Sequence, residues 1–128
     1  MTELKILYVS KSDDSNITYL YDKTNHVLLP VEADNSFSNE NFCTVLRSML
    51  NILNVKTASF EIYKHQDETF YWYLRLKTKK QTYKINCDTE IFSYLADKIN
   101  FPVYAAPKIL QKQGIRITED LLERELET

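Results

Sequence analysis

A chain of 128 residues is one domain's worth and long enough to enclose a core. With 44% hydrophobic residues, nine Tyr and six Phe it lies outside the disordered class, and a formal net charge of −2 argues against a strongly basic nucleic-acid binder while leaving room for a local basic patch. A single glycine excludes glycine-rich phosphate loops and dinucleotide fingerprints, so Asn and Asp must supply the turns.

No apolar run approaches the roughly 20 residues that span a bilayer. The start, MTELKILYVSKSDD, has no long apolar stretch after basic residues, which predicts no signal peptide. Cys43 and Cys87 do not make a disulfide framework. Together these features predict a cytoplasmic protein with two buried thiols and no membrane partner.

Leu4 to Ser10, LKILYVS, is predicted as a strand, Asp13 to Asn16 as a turn, and Ile17 to Tyr21 as a second strand. Asp22 to Asn25 turns the chain into a third strand, His26 to Ala33, whose Pro30 lacks a ladder donor, so that the strand is an edge or is irregular there. Ser36 and Ser38 are candidate N-caps. Phe42, Val45, Leu46, Met49, Ile52 and Leu53 then fall on one face of a helix that stops at Asn54. Ala58 to Lys64 alternates as a strand, with Phe60 and Ile62 opposed to Glu61 and Tyr63.

After a polar turn at Gln66 to Thr69, Phe70 to Thr78 and Gln81 to Cys87 form a hairpin around Lys79-Lys80. Phe70, Trp72, Leu74 and Leu76 make its core face, while Tyr71, Tyr73, Arg75 and Lys77 make a tyrosine-and-basic face. Asp88 or Thr89 caps the next helix, with Glu90 in its first turn and a stripe of Ile91, Phe92, Leu95, Ala96 and Ile99. Phe101 to Ala105 is a short buried strand. Pro107 opens a helix to Gln113 with Gly114 as its C-cap. Thr118 caps an acidic segment, EDLLERELE, which is a terminal helix or a tail.

The fold class is therefore α+β: a mostly antiparallel or mixed sheet with packed helices, as one domain over residues 1–117 and an acidic segment over 118–128. Residues 17–64 and 70–105 share the order strand, turn, strand, helix, strand, each helix ending at an Asn (Asn54, Asn100). This predicts a duplicated β-β-α-β unit about a pseudo-twofold axis.

From Thr69 onward the order TFYWYLRL, KTKKQTYKINC, a helix to Asn100, FPVY at Phe101 to Tyr104, and KILQKQGI ending at Ile115 resembles the bifunctional nuclease domain family, whose members act on RNA and DNA. The likeness covers roughly residues 69 to 115; Leu29-Pro30-Val31 is similar to that family's L-P-I strand. The family's R-P-S-D signature falls on Asp88-Thr89-Glu90-Ile91 and its T-H-D on Phe42-Cys43-Thr44, so neither polar signature is carried. The resemblance implies an α+β scaffold and a nucleic-acid-handling ancestry, with no catalytic residue transferred position by position.

Two functions follow. In the first the domain is a binding module for RNA or DNA, or for a protein partner or a second copy of itself. Tyr71, Tyr73, Arg75, Lys77, Lys79, Lys80 and Lys84 are the nucleic-acid-binding candidates, since lysines reach phosphates and tyrosines offer faces for base stacking; Tyr83 adds to that set. In the second, Asp88 and Glu90 are relocated catalytic carboxylates of a phosphodiester hydrolase that would take a divalent metal, converging with an acid such as Glu32 or Asp34. The plainer roles are helix capping for Asp88 and Glu90, solubility for hairpin lysines, structural or solvated roles for His26 and His65, and core packing for Cys43.

Overall fold

A computed structural model describes residues 1–34, 40–96 and 98–117. Its elements are β1 (Thr2–Lys11), β2 (Ser15–Asp22), β3 (Val27–Asp34), α1 (Glu40–Ile52), β4 (Thr57–Gln66), β5 (Thr69–Lys77), β6 (Thr82–Cys87), α2 (Thr89–Ala96), β7 (Val103–Ala105), α3 (Pro107–Gln113) and β8 (Ile115–Arg116). The candidate caps Ser36 and Ser38 and the acidic segment 118–128 lie outside the described residues. Among the described residues no helix is long and apolar enough to cross a membrane.

The described strands form one eight-stranded sheet in the order β6-β5-β4-β7-β1-β2-β3-β8. The β4–β7 pair is parallel and the other pairs are antiparallel, so the fold is α+β with a mixed, mostly antiparallel sheet. The β-β-α-β order occurs twice, as β2-β3-α1-β4 and β5-β6-α2-β7. The two units nevertheless differ in polarity. Following the pairings, β2 runs parallel to β4 whereas β5 runs antiparallel to β7, and β1 is inserted between β7 and β2. No twofold axis therefore superposes the two units within the sheet. The sheet curls, because α2 packs on both β3 and β5, which four strands separate, and α3 packs on both β3 and β4.

Turns without glycine are built as the composition requires. Asp67 and Glu68 both hold left-handed backbone (φ 53° and 62°) between the paired Gln66 and Thr69, the arrangement of a type I′ hairpin. Asn54 (φ 56°) ends α1 in a Schellman motif: the Val55 amide donates to the Leu50 carbonyl at 3.0 Å and the Asn54 amide to Asn51 at 3.1 Å. The Asp22 carboxylate accepts from the amides of Thr24 and Asn25 and from the Asn25 side chain, which locks the β2–β3 turn. Beyond Leu28 the outer edge of β3 has no strand partner among the described residues, and Pro30 sits there, as an edge proline should.

The core centres on Phe60, Trp72 and Phe92. The Trp72 and Phe92 rings stack with centroids 3.9 Å apart, and Phe60 meets Phe92 edge-on at 5.2 Å. The Trp72 indole donates to the Thr89 hydroxyl at 3.0 Å, so the single tryptophan is buried with its polar atom satisfied. Asp88, not Thr89, caps α2 by accepting from the Ile91 amide at 2.9 Å.

Helix α1 corrects one expectation. Its core contacts come from Cys43, Leu46 and Leu50 with part of Phe42, while Val45, Met49, Ile52 and Leu53 face solvent. The six-residue stripe read from the sequence meets the core along one margin only. Strand β6 is likewise less covered than a core-facing strand, with Tyr83 and Ile85 exposed.

Candidate nucleic-acid interface

The outer face of β4, β5 and β6, turned away from the Trp72 cluster, gathers most of the aromatic and basic candidates. Alternation along β5 places Tyr71, Tyr73, Arg75 and Lys77 there, opposite Trp72, Leu74 and Leu76. Cross-strand partners share a face, so Lys84, paired with Arg75, and Asn86, paired with Tyr73, join it from β6.

From β4 come two residues that strict alternation would have split between opposite faces. Pairing steps from Ile62↔Trp72 directly to Lys64↔Tyr71, which leaves Tyr63 as the extra residue of a β-bulge. The bulge keeps both Tyr63 and Lys64 on the outer face. The Tyr63 ring stacks on Tyr73 at 4.0 Å with 14° between planes, and approaches Tyr71 at 6.4 Å. The Lys64 ammonium lies 5.2 Å from the Tyr71 centroid and the Lys84 ammonium 5.3 Å from that of Tyr73. The result is a three-tyrosine platform with a cation over each of two rings. Partial loss of hydration, then the neighbouring Tyr73 phenol, holds the Tyr63 phenol above its ordinary value.

Below the platform Arg75 donates to Glu61 at 3.0 Å, with the carboxylate buried and the guanidinium half-exposed. That ion pair fixes the fork of Arg75 toward a shallow cleft lined by Ser59, Glu61, Arg75, Lys77, Lys84 and Tyr104, about 610 Å³ in volume. Of the seven binding candidates, Tyr71, Tyr73, Arg75, Lys77 and Lys84 are thus brought together. Lys79 and Lys80 are separate: they sit in the loop that the Thr78 hydroxyl organises by accepting from the Lys80 and Gln81 amides. With Lys56, Leu53 and Tyr83 they line a different cleft of about 520 Å³. Tyr83, paired with Leu76, therefore lies on the opposite face from Tyr71 and Tyr73. Tyr63 and Lys64 are the additions that the sequence did not single out.

Asp88 is engaged as the α2 cap. Among the described residues no group of three or more His, Cys, Asp or Glu side chains is placed to hold a metal ion. His26, in left-handed backbone, has its Nδ1 at 3.0 Å from the Tyr21 hydroxyl, and His65 packs on Phe70 at 4.6 Å. Cys43 and Cys87 are both free.

Cys87 ends β6 beside the cap. Burial, then the Asp88 carboxylate, pushes its thiol up to about 12. Alkylation by iodoacetamide at mildly alkaline pH is therefore expected on the order of 100-fold slower in the native chain than in the unfolded chain, after allowing for the greater intrinsic nucleophilicity of a higher-pKa thiolate. Peptide mass spectrometry of quenched samples measures this; equal rates would contradict it. The sign for stability follows. A thiol that ionises later in the folded state contributes stability fully present below its ordinary pKa of 9.0, which is lost as pH rises toward 12.

No protein-family model matches the sequence, and a search of curated proteins gives no match either.

Proposed function

We propose that this domain binds single-stranded nucleic acid across the outer face of β4, β5 and β6, on a scaffold related to the bifunctional nuclease domains but without their polar signature. The observation that carries this reading is the tyrosine platform of Tyr63, Tyr71 and Tyr73 with Lys64 and Lys84 over its rings. Aromatic faces on a sheet accept unstacked bases of any sequence, and the flanking Arg75, Lys77 and Lys84 supply phosphate contacts. The overall charge of −2 fits a local, moderate-affinity site better than a duplex-wrapping one.

Fluorescence anisotropy with labelled oligo-U and oligo-dT tests this directly. Binding should weaken between about 50 and 200 mM salt, because phosphate contacts release counterions. Tyr73→Ala should weaken it about 5- to 150-fold, the equivalent of roughly 1–3 kcal/mol for a stacked base. Absence of binding at low salt, or equal affinity in Tyr73→Ala, would overturn the proposal. Running the same mixtures on a gel with magnesium or manganese examines the nuclease alternative: shortened products abolished by Asp88→Ala or Glu90→Ala would replace binding with catalysis.

A further inference from the structure

Ten large apolar side chains are exposed among the described residues, and six of them fall on one face: Val45, Met49, Ile52 and Leu53 of α1 and its C-terminal turn, with Tyr83 and Ile85 of β6. The two groups are contiguous, since Leu53 and Tyr83 line one cleft. Tyr83 and Ile85 pair with Leu76 and Leu74, so this is the core side of the sheet, opposite the tyrosine platform. Scattered exposed apolar residues need no explanation, but a cluster of this kind marks a surface that is covered in use.

We infer that the α1 face is covered by a second copy of this chain, packed helix to helix about a twofold axis. Three observations favour this occupant. The first is area: covering six side chains that are about half-exposed or more removes on the order of 600 Å² from each copy, near the roughly 800 Å² per partner of a standard stable interface. The second is spacing. Half-buried Phe42 with Val45, Met49 and Ile52 runs at intervals of three, four and three, the same read from either end, so an antiparallel copy sets apolar against apolar along the helix.

The third is charge. Between Asn41 and Leu53 the only charged residue is Arg47, and its guanidinium is turned back onto its own domain, donating to the Lys98 carbonyl at 2.9 Å. Two antiparallel copies therefore bring no like charges together along this stretch of α1, while Lys56, Lys79 and Lys80 line the cleft at its Leu53 end. Among the described residues β6 has β5 as its one strand partner, and Lys84 on β6 disfavours strand addition at that edge.

Light scattering or sedimentation equilibrium of the full chain over a concentration series tests the inference. The wild type should have twice the monomer mass at micromolar concentration. Met49→Glu and Ile52→Glu should each lower it to the monomer mass while Trp72 emission stays native, because both side chains are solvent-facing in the monomer (51% and 77% exposed). Monomer mass in the wild type at its highest soluble concentration would overturn the proposal, as would a dimer that survives both substitutions. So would a wild-type monomer that binds an unrelated apolar peptide through this face. The nucleic-acid surface is on the other side of the sheet. Oligonucleotide contacts of the monomeric variants at the tyrosine platform should therefore persist, and Tyr73→Ala should remain dimeric.

Discussion

Phe92→Ala is expected to cost about 3–5 kcal/mol, a large share of the stability of a domain this size. Its side chain is fully buried in α2, stacked on Trp72 at 3.9 Å and met edge-on by Phe60 at 5.2 Å. Helix α2 is eight residues long, too short to persist without tertiary contacts, and it packs on both β3 and β5. Removing the ring therefore opens a cavity at the point where the two ends of the curled sheet are joined through the helix. Aromatic stacking adds about 0.5–1.5 kcal/mol beyond burial, so Phe92→Leu, which keeps most of the volume, should lose only about 1–2 kcal/mol. Urea unfolding followed by the emission of Trp72 measures both. A loss below about 1 kcal/mol for Phe92→Ala would mean that Trp72 relaxes into the space and that α2 is held by other contacts.

Much of this architecture was legible because local signals and global packing agree. The alternation of Phe70, Trp72, Leu74 and Leu76 against Tyr71, Tyr73, Arg75 and Lys77 located both the core and the tyrosine face, since a period of two leaves only one way to bury Trp72. Asn54 as a helix stop and Pro30 as an edge residue were readable because each expresses a backbone property of one residue. What escaped depends on long-range geometry. The bulge at Tyr63 depends on the register between β4 and β5, and without it Lys64 is assigned to the wrong face. The apolar arc of α1 contains two usable faces, and periodicity does not say that the domain's own core takes Cys43, Leu46 and Leu50 while leaving Val45, Met49 and Ile52 to solvent. Repetition of element order concealed the opposite polarities of β2 and β5 relative to their partners β4 and β7, because polarity is set by pairing and not by pattern. Left-handed backbone at Glu68 went unseen for the opposite reason: the residue type does not favour it, and the flanking strands impose it.

Gly114→Ala is expected to destabilise the domain by about 3 kcal/mol, at the upper end of what overpacking costs. Two effects of opposite sign compete at this position. As the only glycine in the chain, ending α3, it invites the expectation of a left-handed C-cap, but its backbone is extended (φ −76°, ψ 150°), a conformation alanine adopts freely. On backbone grounds alone alanine would stabilise the fold by about 0.4–1 kcal/mol, through lower entropy of the unfolded chain. The surroundings reverse the sign. A Cβ here would lie inside 3.0 Å of both the Val27 Cγ1 atom and the Leu110 carbonyl oxygen. Val27 can be trimmed; the carbonyl cannot, because it accepts the Gly114 amide at 3.0 Å and closes α3. Relieving that clash moves the chain away from Val27 and Leu28 and unpairs β8 from β3. The double variant Gly114→Ala with Val27→Ala should therefore remain at least about 1 kcal/mol less stable than Val27→Ala alone. Hydrogen exchange should show the loss locally, first at the Ile117 amide, which donates to the His26 carbonyl at 3.0 Å. A neutral or stabilising Gly114→Ala would mean that α3 shifts as a unit and that the close approach of its end to β3 is not what requires glycine.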